Sequence, residues 1–177
     1  MHLTSRSGRH IQLRPPREGD ESILFAYARL LEAEDTYVLL NPDYPVTWAE
    51  ETEYLKNTLR KLAAHWEVML MAFSNDLLIG SCQVSVLGRR KMHVGQFGIS
   101  LLPDYRQDGI GEPLSRLVIK EAHKTLKVTI ITLEVFSDNQ AALNLYQKLG
   151  FTEYGRLPRG LKFKDAYNDL ILMSLNL

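Results

Sequence analysis

The chain has one cysteine, Cys82, among 177 residues. A lone cysteine excludes an internal disulfide and a thiolate metal cluster. Its apolar setting, Ile79-Gly80-Ser81-Cys82-Gln83-Val84, marks it as a small core residue rather than a nucleophile. An excess of either charge is also missing: Lys+Arg and Asp+Glu stand at 21 each, a formal net charge of +0. Nucleic-acid binders need cations to neutralise phosphates, so no nucleic-acid partner is expected. The short basic runs Arg89-Arg90-Lys91 and Lys162-Phe163-Lys164 read as solvated loops. No apolar run nears the ~18 residues of a membrane span, and Met1 to Arg9 has no apolar signal stretch. No membrane partner and no export are therefore expected, which leaves a cytoplasmic protein. Clusters of His, Asp and Glu at ligand spacing are absent, so no metal is expected. There are no repeats, low-complexity tracts or linkers. What remains is ordinary globular composition, 45% hydrophobic and 24% charged. It suits one domain over 1–177 with a sizeable core, its first nine residues polar and loose.

His10-Ile11-Gln12-Leu13-Arg14 alternates as a strand does, and Pro15-Pro16 ends it. Behind Gly19-Asp20, the residues Ile23, Leu24, Tyr27, Leu30 and Leu31 recur at helical spacing. Asn41 to Pro45 is a loop. Thr47 and Glu50 then form a capping-box pair, opening a helix with Trp48, Leu55, Leu59 and Leu62 on one side. From Trp66 the period turns to that of strands. Segments 67–73 and 77–87 flank the hairpin turn Ser74-Asn75-Asp76, and 93–102 follows a basic loop. A helix over 110–126 turns Ile110, Leu114, Leu117, Val118 and Leu126 inward. The strand 128–136 is apolar on both faces, as a central strand is. A helix over 139–149 gathers Ala142, Leu145, Tyr146 and Leu149, and strands over 151–157 and 167–175 close the chain. The order β-α-α-β-β-β-α-β-α-β-β predicts a mixed sheet covered by helices, with one strand–helix–strand crossover.

The informative stretch is Pro103-Asp104-Tyr105-Arg106-Gln107-Asp108-Gly109-Ile110-Gly111, which joins a strand to a helix. A helix start carries unpaired N–H groups and partial positive charge, so it can hold a pyrophosphate. Gly109 and Gly111 let the backbone approach a ligand, Arg106 can add a charge-assisted contact, and Pro113 fits a first helical turn. The loop is not a Walker A motif, since no Gly-Lys-Ser/Thr ends it, and it lacks the third glycine of the dinucleotide pattern. Alone, a strand-to-helix connection with two glycines reads equally well as a plain turn.

Downstream, Leu133-Glu134-Val135-Phe136 leads into Asn139, Ala142, Leu145-Tyr146 and Leu149-Gly150-Phe151. The two blocks together resemble the GNAT superfamily of N-acetyltransferases. Arg106, Gly109 and Gly111 match its acetyl-CoA signature, Arg/Gln-x-x-Gly-x-Gly/Ala. Asn139, Ala142, Leu145, Tyr146, Gly150 and Phe151 match its second block, one helix and one strand further on. Strands Ile11–Arg14 and His93–Leu101 look like the family's first and fourth. The tail, with Gly155-Arg156, Ala166-Tyr167-Asn168-Asp169 and Met173, is similar to the ribosomal-protein and amino-acid acetyltransferase branch.

The resemblance implies an α/β (α+β) fold: a mixed, mainly antiparallel sheet with a splayed central parallel pair, here about 94–102 and 128–136. It implies acetyl-CoA as cosubstrate, bound by Leu101, Leu102, Arg106, Gln107, Asp108, Gly109, Ile110, Gly111 and Asn139. Backbone groups near Leu101 and Leu102 would pair with the pantetheine arm and polarise the thioester carbonyl. Asn139 reads equally as a helix N-cap. Tyr146 is implied as the acid that protonates the departing thiolate, against a reading as a core aromatic. For the base, Glu134, His93 and a Gln96-bound water stay open. The acceptor would be a small-molecule amine, an amino acid or a protein N-terminus. Glu34, Asp35 and Asp43 are candidates to draw it in, and Tyr37, Tyr44 and Trp48 to wall it; all six also read as loop or packing residues. Two positions depart from the family. Gln107 stands where glycine is frequent and is tolerated if its φ is negative, and Asp108 is expected to weaken cofactor binding slightly. A non-catalytic acyl-CoA-binding or sensing protein is the alternative function. A mononucleotide-binding interaction domain fits less well, for want of a phosphate-binding lysine. The oligomeric state is open, a homodimer included.

Overall fold

The computed structural model describes residues 1–34, 37, 43–163 and 166–177, with only the backbone of Phe163. In chain order the strands are β1 (His2–Thr4), β2 (His10–Arg14), β3 (Glu67–Ser74), β4 (Leu77–Val86), β5 (Val94–Leu101), β6 (Ile130–Phe136), β7 (Thr152–Phe163) and β8 (Ala166–Asn176). The helices are α1 (Glu21–Glu34), α2 (Trp48–Ala63), α3 (Gly111–Leu126) and α4 (Gln140–Leu149). The strands make one sheet in the order β1-β2-β3-β4-β5-β6-β8-β7. Every neighbouring pair is antiparallel except β5 and β6, so the predicted fold class holds.

Side chains alternate across a strand, and β3 uses both faces. Met69, Met71 and Phe73 pack with Leu24, Tyr27, Leu31 and Leu55 of α1 and α2. Leu70 and Ala72 join Leu114 and Val118 of α3 and Tyr146 and Leu149 of α4 on the other face. The capping box that starts α2 is present, with the Thr47 side chain accepting from the Glu50 N–H and Glu50 accepting from the Thr47 N–H. The β3–β4 turn has positive φ at Asn75 and Asp76, 47° and 66°, as a tight hairpin requires.

Three expectations need correction. The first nine residues are not loose: His2, Leu3 and Thr4 pair with Gln12, Ile11 and His10. β7 runs on to Phe163 instead of stopping near 157. Pro158 cannot donate to a ladder, but the strand bulges there, with Arg159 at φ +55° and a register shift between Leu157 and Leu161, and then resumes. Leu30 and Trp48, assigned to inward stripes, are 48% and 51% exposed.

The feature that makes the site is a parting of strands. β5 and β6 pair only at Val94↔Ile130, Gly95↔Ile131 and Gln96↔Thr132. Beyond that, β5 keeps its pairing with β4 as far as Leu101, and β6 keeps its pairing with β8 as far as Phe136.

Candidate functional site

A cavity of about 970 Å³ opens where the two strands part. Ile99 and Leu101 form one side, Glu134 to Phe136 the other, and Asn139 and Tyr146 come from α4. Which backbone groups face it follows from the β4–β5 ladder. Leu87 N–H donates to Val94 O (3.1 Å) and Leu102 N–H to Ile79 O (2.8 Å). Hydrogen-bonded positions alternate along an antiparallel pair. Val94, Gln96, Gly98, Ser100 and Leu102 therefore turn their backbone groups to β4, and Gly95, Phe97, Ile99 and Leu101 turn theirs to the side where β6 has left. This corrects the expected pair. Leu101 N–H faces the cleft, but Leu102 is spent on Ile79, its carbonyl accepts from Tyr105 N–H, and its side chain is buried. Ile99 is the residue that sequence reasoning missed.

The loop ahead of α3 closes the cleft. Among the described residues, no protein acceptor bonds the backbone N–H groups of Gly109, Ile110, Gly111 or Glu112, and no side chain caps α3. Gly109 has φ +77°, which only glycine adopts without strain. Ile110 is 1% exposed and does not line the cavity, contrary to its expected place among the cofactor contacts: it anchors the loop in the core, between Gly109 and Gly111, which do line it. Gln107 has φ +59°, contrary to the negative value its tolerance required. A left-handed non-glycine residue costs roughly 1–2 kcal/mol. Gln107→Gly is therefore expected to raise stability by about 1 kcal/mol in a denaturant melt, an unchanged midpoint counting against the strain.

Two loop side chains do other work than expected. Arg106 does not present a free guanidinium: its Nη1 and Nη2 both donate to the Glu34 carboxylate, the second at 2.6 Å, and its Nε donates to Leu101 O at 2.9 Å. Glu34, considered for drawing in an amine, is thereby occupied. Asp108 points away from the cleft, accepting from Ser7 N–H (2.7 Å) and the Ser7 hydroxyl (2.6 Å). The Ser7 and Ser5 hydroxyls, and then Arg9, hold its carboxyl below the usual aspartate range.

On α4, Asn139 caps the helix, its Oδ1 accepting from Ala142 N–H at 3.1 Å, and also lines the cavity. Tyr146 is 7% exposed, its ring set edge-on to Phe97 and tilted against Phe151. Among the described residues no protein group hydrogen-bonds its hydroxyl, yet the residue lines the cavity. Burial, with a smaller contribution from Cys82, pushes its pKa above the ordinary tyrosine value, so it stays protonated. Glu134 is exposed and lines the same cavity. His93 does not reach it. His93 precedes the far end of β5, eight residues from Leu101, or roughly 26 Å at ~3.3 Å per residue; Gln96 lies near that end too. Cys82 is a core residue, as expected, its thiol pKa pushed up by burial.

Of the acceptor-side candidates, Tyr37 lines the cavity against the Phe136 ring (centroids 5.5 Å apart). Tyr44 is 81% exposed, and Trp48 packs on Phe25; neither they nor Asp43 line the cavity. Asp35, Asn41 and Pro42 lie outside the described residues.

The family model for acetyltransferase (GNAT) matches residues 33–151, which span the parted strands, the loop and α4. The chain belongs to the GNAT family. It is similar to the L-amino acid N-acetyltransferase AaaT of Escherichia coli K12, 34% identical over 103 residues, 55% of this chain and 64% of that protein. It is also similar to the [ribosomal protein bS18]-alanine N-acetyltransferase of the same organism, 37% identical over 79 residues, 45% of this chain and 53% of that one. The chain thus spans between half and two thirds of these relatives. Among solved structures, a GNAT acetyltransferase of Streptococcus pneumoniae superposes with a TM-score of 0.85 at 26% identity, covering 94% of this chain and 99% of that one. YncA of Salmonella typhimurium, solved with its cofactor acetyl-CoA, shares the fold at TM-score 0.79 and 19% identity, over 94% of each chain.

Proposed function

We propose that this GNAT protein is an N-acetyltransferase that passes an acetyl group from acetyl-CoA to the α-amine of an amino acid or peptide. The observation that carries this is the conjunction in one cavity of an open strand edge, Ile99 to Leu101, with the hydroxyl-bearing Tyr146. The edge offers N–H and C=O groups to an extended amide-containing chain such as pantetheine, and the unbonded N–H groups of Gly109, Gly111 and Glu112 offer a pyrophosphate its donors. A donor N–H on the same edge stabilises charge developing on a thioester carbonyl oxygen.

In the reaction the amine nitrogen bonds the carbonyl carbon, the C–S bond breaks, and the thiolate takes a proton from Tyr146. Glu134, through water, removes the proton that the nitrogen loses. Its exposure on the cavity wall supports this role over His93, at the other end of β5. Acceptor class follows from protonation cost. Deprotonating a lysine of pKa ~10.4 at pH 7 costs about 4.6 kcal/mol, whereas an α-amine near 7.8 costs about 1.1, within reach of a solvent-relayed carboxylate. Tyr37 and Phe136 give the acceptor side an aromatic wall.

The test is thiol release from acetyl-CoA against amino acids, peptide N-termini, polyamines and aminoglycosides. Turnover is expected with an α-amine acceptor and near background with polyamines. Turnover confined to polyamines would sink the acceptor assignment, and tight acetyl-CoA binding without turnover on any amine would favour a sensing role.

A further inference from the structure

The loop has unbonded N–H groups, but the arginine of its signature is held by Glu34, which leaves open what cation meets the phosphates. A second arginine arrives from the opposite end of the chain. Residues 5–9 form a tight turn: Ser5 N–H donates to Arg9 O (3.0 Å), Gly8 N–H to Ser5 O (3.1 Å) and Arg9 N–H to the Ser5 hydroxyl oxygen (3.1 Å). This turn is fastened to the loop. Arg6 N–H donates to Asp108 O at 2.8 Å, and Ser7 gives the Asp108 carboxylate its two short bonds. Arg9 donates to Asp104 O at 2.8 Å, lies 3.8 Å from Asp108 Oδ2 and stacks over the Tyr105 ring.

The fastening leaves one side chain pointing elsewhere. Arg6 runs over Gly109, where a Cβ would come within 2.9 Å of its Cγ and 3.2 Å of its Nε. It lines the cavity, and among the described residues it has no ion pair or side-chain hydrogen bond. Arg106, by contrast, is neutralised by Glu34.

We propose that Arg6 is the cation that anchors the phosphate end of the CoA substrate, presented over Gly109 by a terminal turn that Asp108 latches to the loop. This rests on acetyl-CoA being the donor. An arginine beside unpaired amide N–H groups is suited to phosphate oxygens, which it can meet with two parallel bonds. The same geometry reverses the sign expected for Asp108. Its carboxylate is turned to Ser7, so neutralising it loosens the presentation of Arg6 instead of relieving a repulsion.

The test is calorimetric binding of CoA and dephospho-CoA to the wild type and to Arg6→Ala, Arg6→Lys and Asp108→Asn, with turnover of S-acetylpantetheine, which has no phosphate, as the second readout. Arg6→Ala is expected to weaken CoA binding roughly ten- to a hundredfold, the range of a hydrogen bond to a charged group, and Arg6→Lys to recover part of it. Asp108→Asn should weaken it by less, and S-acetylpantetheine turnover should be unchanged in all three. A loss that disappears with dephospho-CoA assigns Arg6 to the 3′-phosphate, and one that persists assigns it to the pyrophosphate. Unchanged CoA affinity in Arg6→Ala, tighter binding in Asp108→Asn, or an equal loss on S-acetylpantetheine would each overturn the proposal. A wild type that binds no CoA would instead overturn the donor assignment.

Discussion

Replacing Tyr146 with phenylalanine is expected to lower kcat by about 10²- to 10⁴-fold, the usual contribution of a positioned acid, while acetyl-CoA affinity and melting temperature stay near wild type. The split follows from how the side chain sits. Its ring packs against Phe97 and Phe151, at centroid distances of 6.0 Å each, and phenylalanine keeps those contacts. The hydroxyl is the only atom removed, and among the described residues it bonds no protein group, so the fold loses little. Activity should fall without vanishing, because a thiol of pKa ~8.5 is already a fair leaving group. Burial raises the Tyr146 pKa, which sets the sign of the pH dependence. A phenol with a raised folded pKa contributes stability that is complete below the unfolded value near 10 and is lost as pH rises through the folded one. The wild-type kcat profile should therefore show no alkaline limb from this group below about pH 10. Full activity in Tyr146→Phe would remove the acid assignment, and an equal fall in melting temperature would make Tyr146 a packing residue.

The second large effect is expected at Gly80, which faces Leu101 across the β4–β5 ladder. A Cβ there would lie 2.3 Å from Leu101 Cδ2 and 2.8 Å from Ser100 O. A side chain can rotate away, but a backbone oxygen moves only if the strand does. Gly80→Ala should cost about 1–3 kcal/mol, as overpacking does, and should also weaken acetyl-CoA binding by displacing the Leu101 N–H. Gly98→Ala on β5 is the control: its Cβ meets only the end of the Gln83 side chain, at 3.4 Å. Thermal melts and binding of both variants decide the matter. Equal, small effects in the two would show that Gly80 is not needed for close approach.

Most local signals in the sequence hold in the structure, with the φ of Gln107 and the exposure of Leu30 and Trp48 as exceptions, and signals of partnership do not. The Thr47/Glu50 box, the helical spacing around Leu114 and Tyr146, the glycine at 109 and the cap at Asn139 depend on neighbours a few residues away, and each stands in the structure. The roles of the two loop charges depend on pairings across long stretches of chain. Arg106 finds Glu34 at a separation of 72 residues, and Asp108 finds Ser7 at 101. Neither is visible in residue types, and both change what a charged side chain is for. The choice between Ile99 and Leu102 is a question of strand phase: a one-residue step turns the backbone groups to the opposite edge, and only the β4 register fixes it. The extent of β7 beyond 157 is likewise a matter of partnership, because the bulge that carries the strand past Pro158 and Gly160 needs the β8 register to be seen.

On the proposed reading, the three-residue junction between β5 and β6 also makes donor concentration part of this protein's thermodynamic stability. A donor bound along Ile99 to Leu101 fills the position of a missing neighbour strand, and it can do so only in the folded state. By linkage, occupancy at 100 times Kd would add about 2.7 kcal/mol to the unfolding free energy. Under the proposed reading the supply of acetyl-CoA would then set how long the folded molecule persists as well as how fast it turns over.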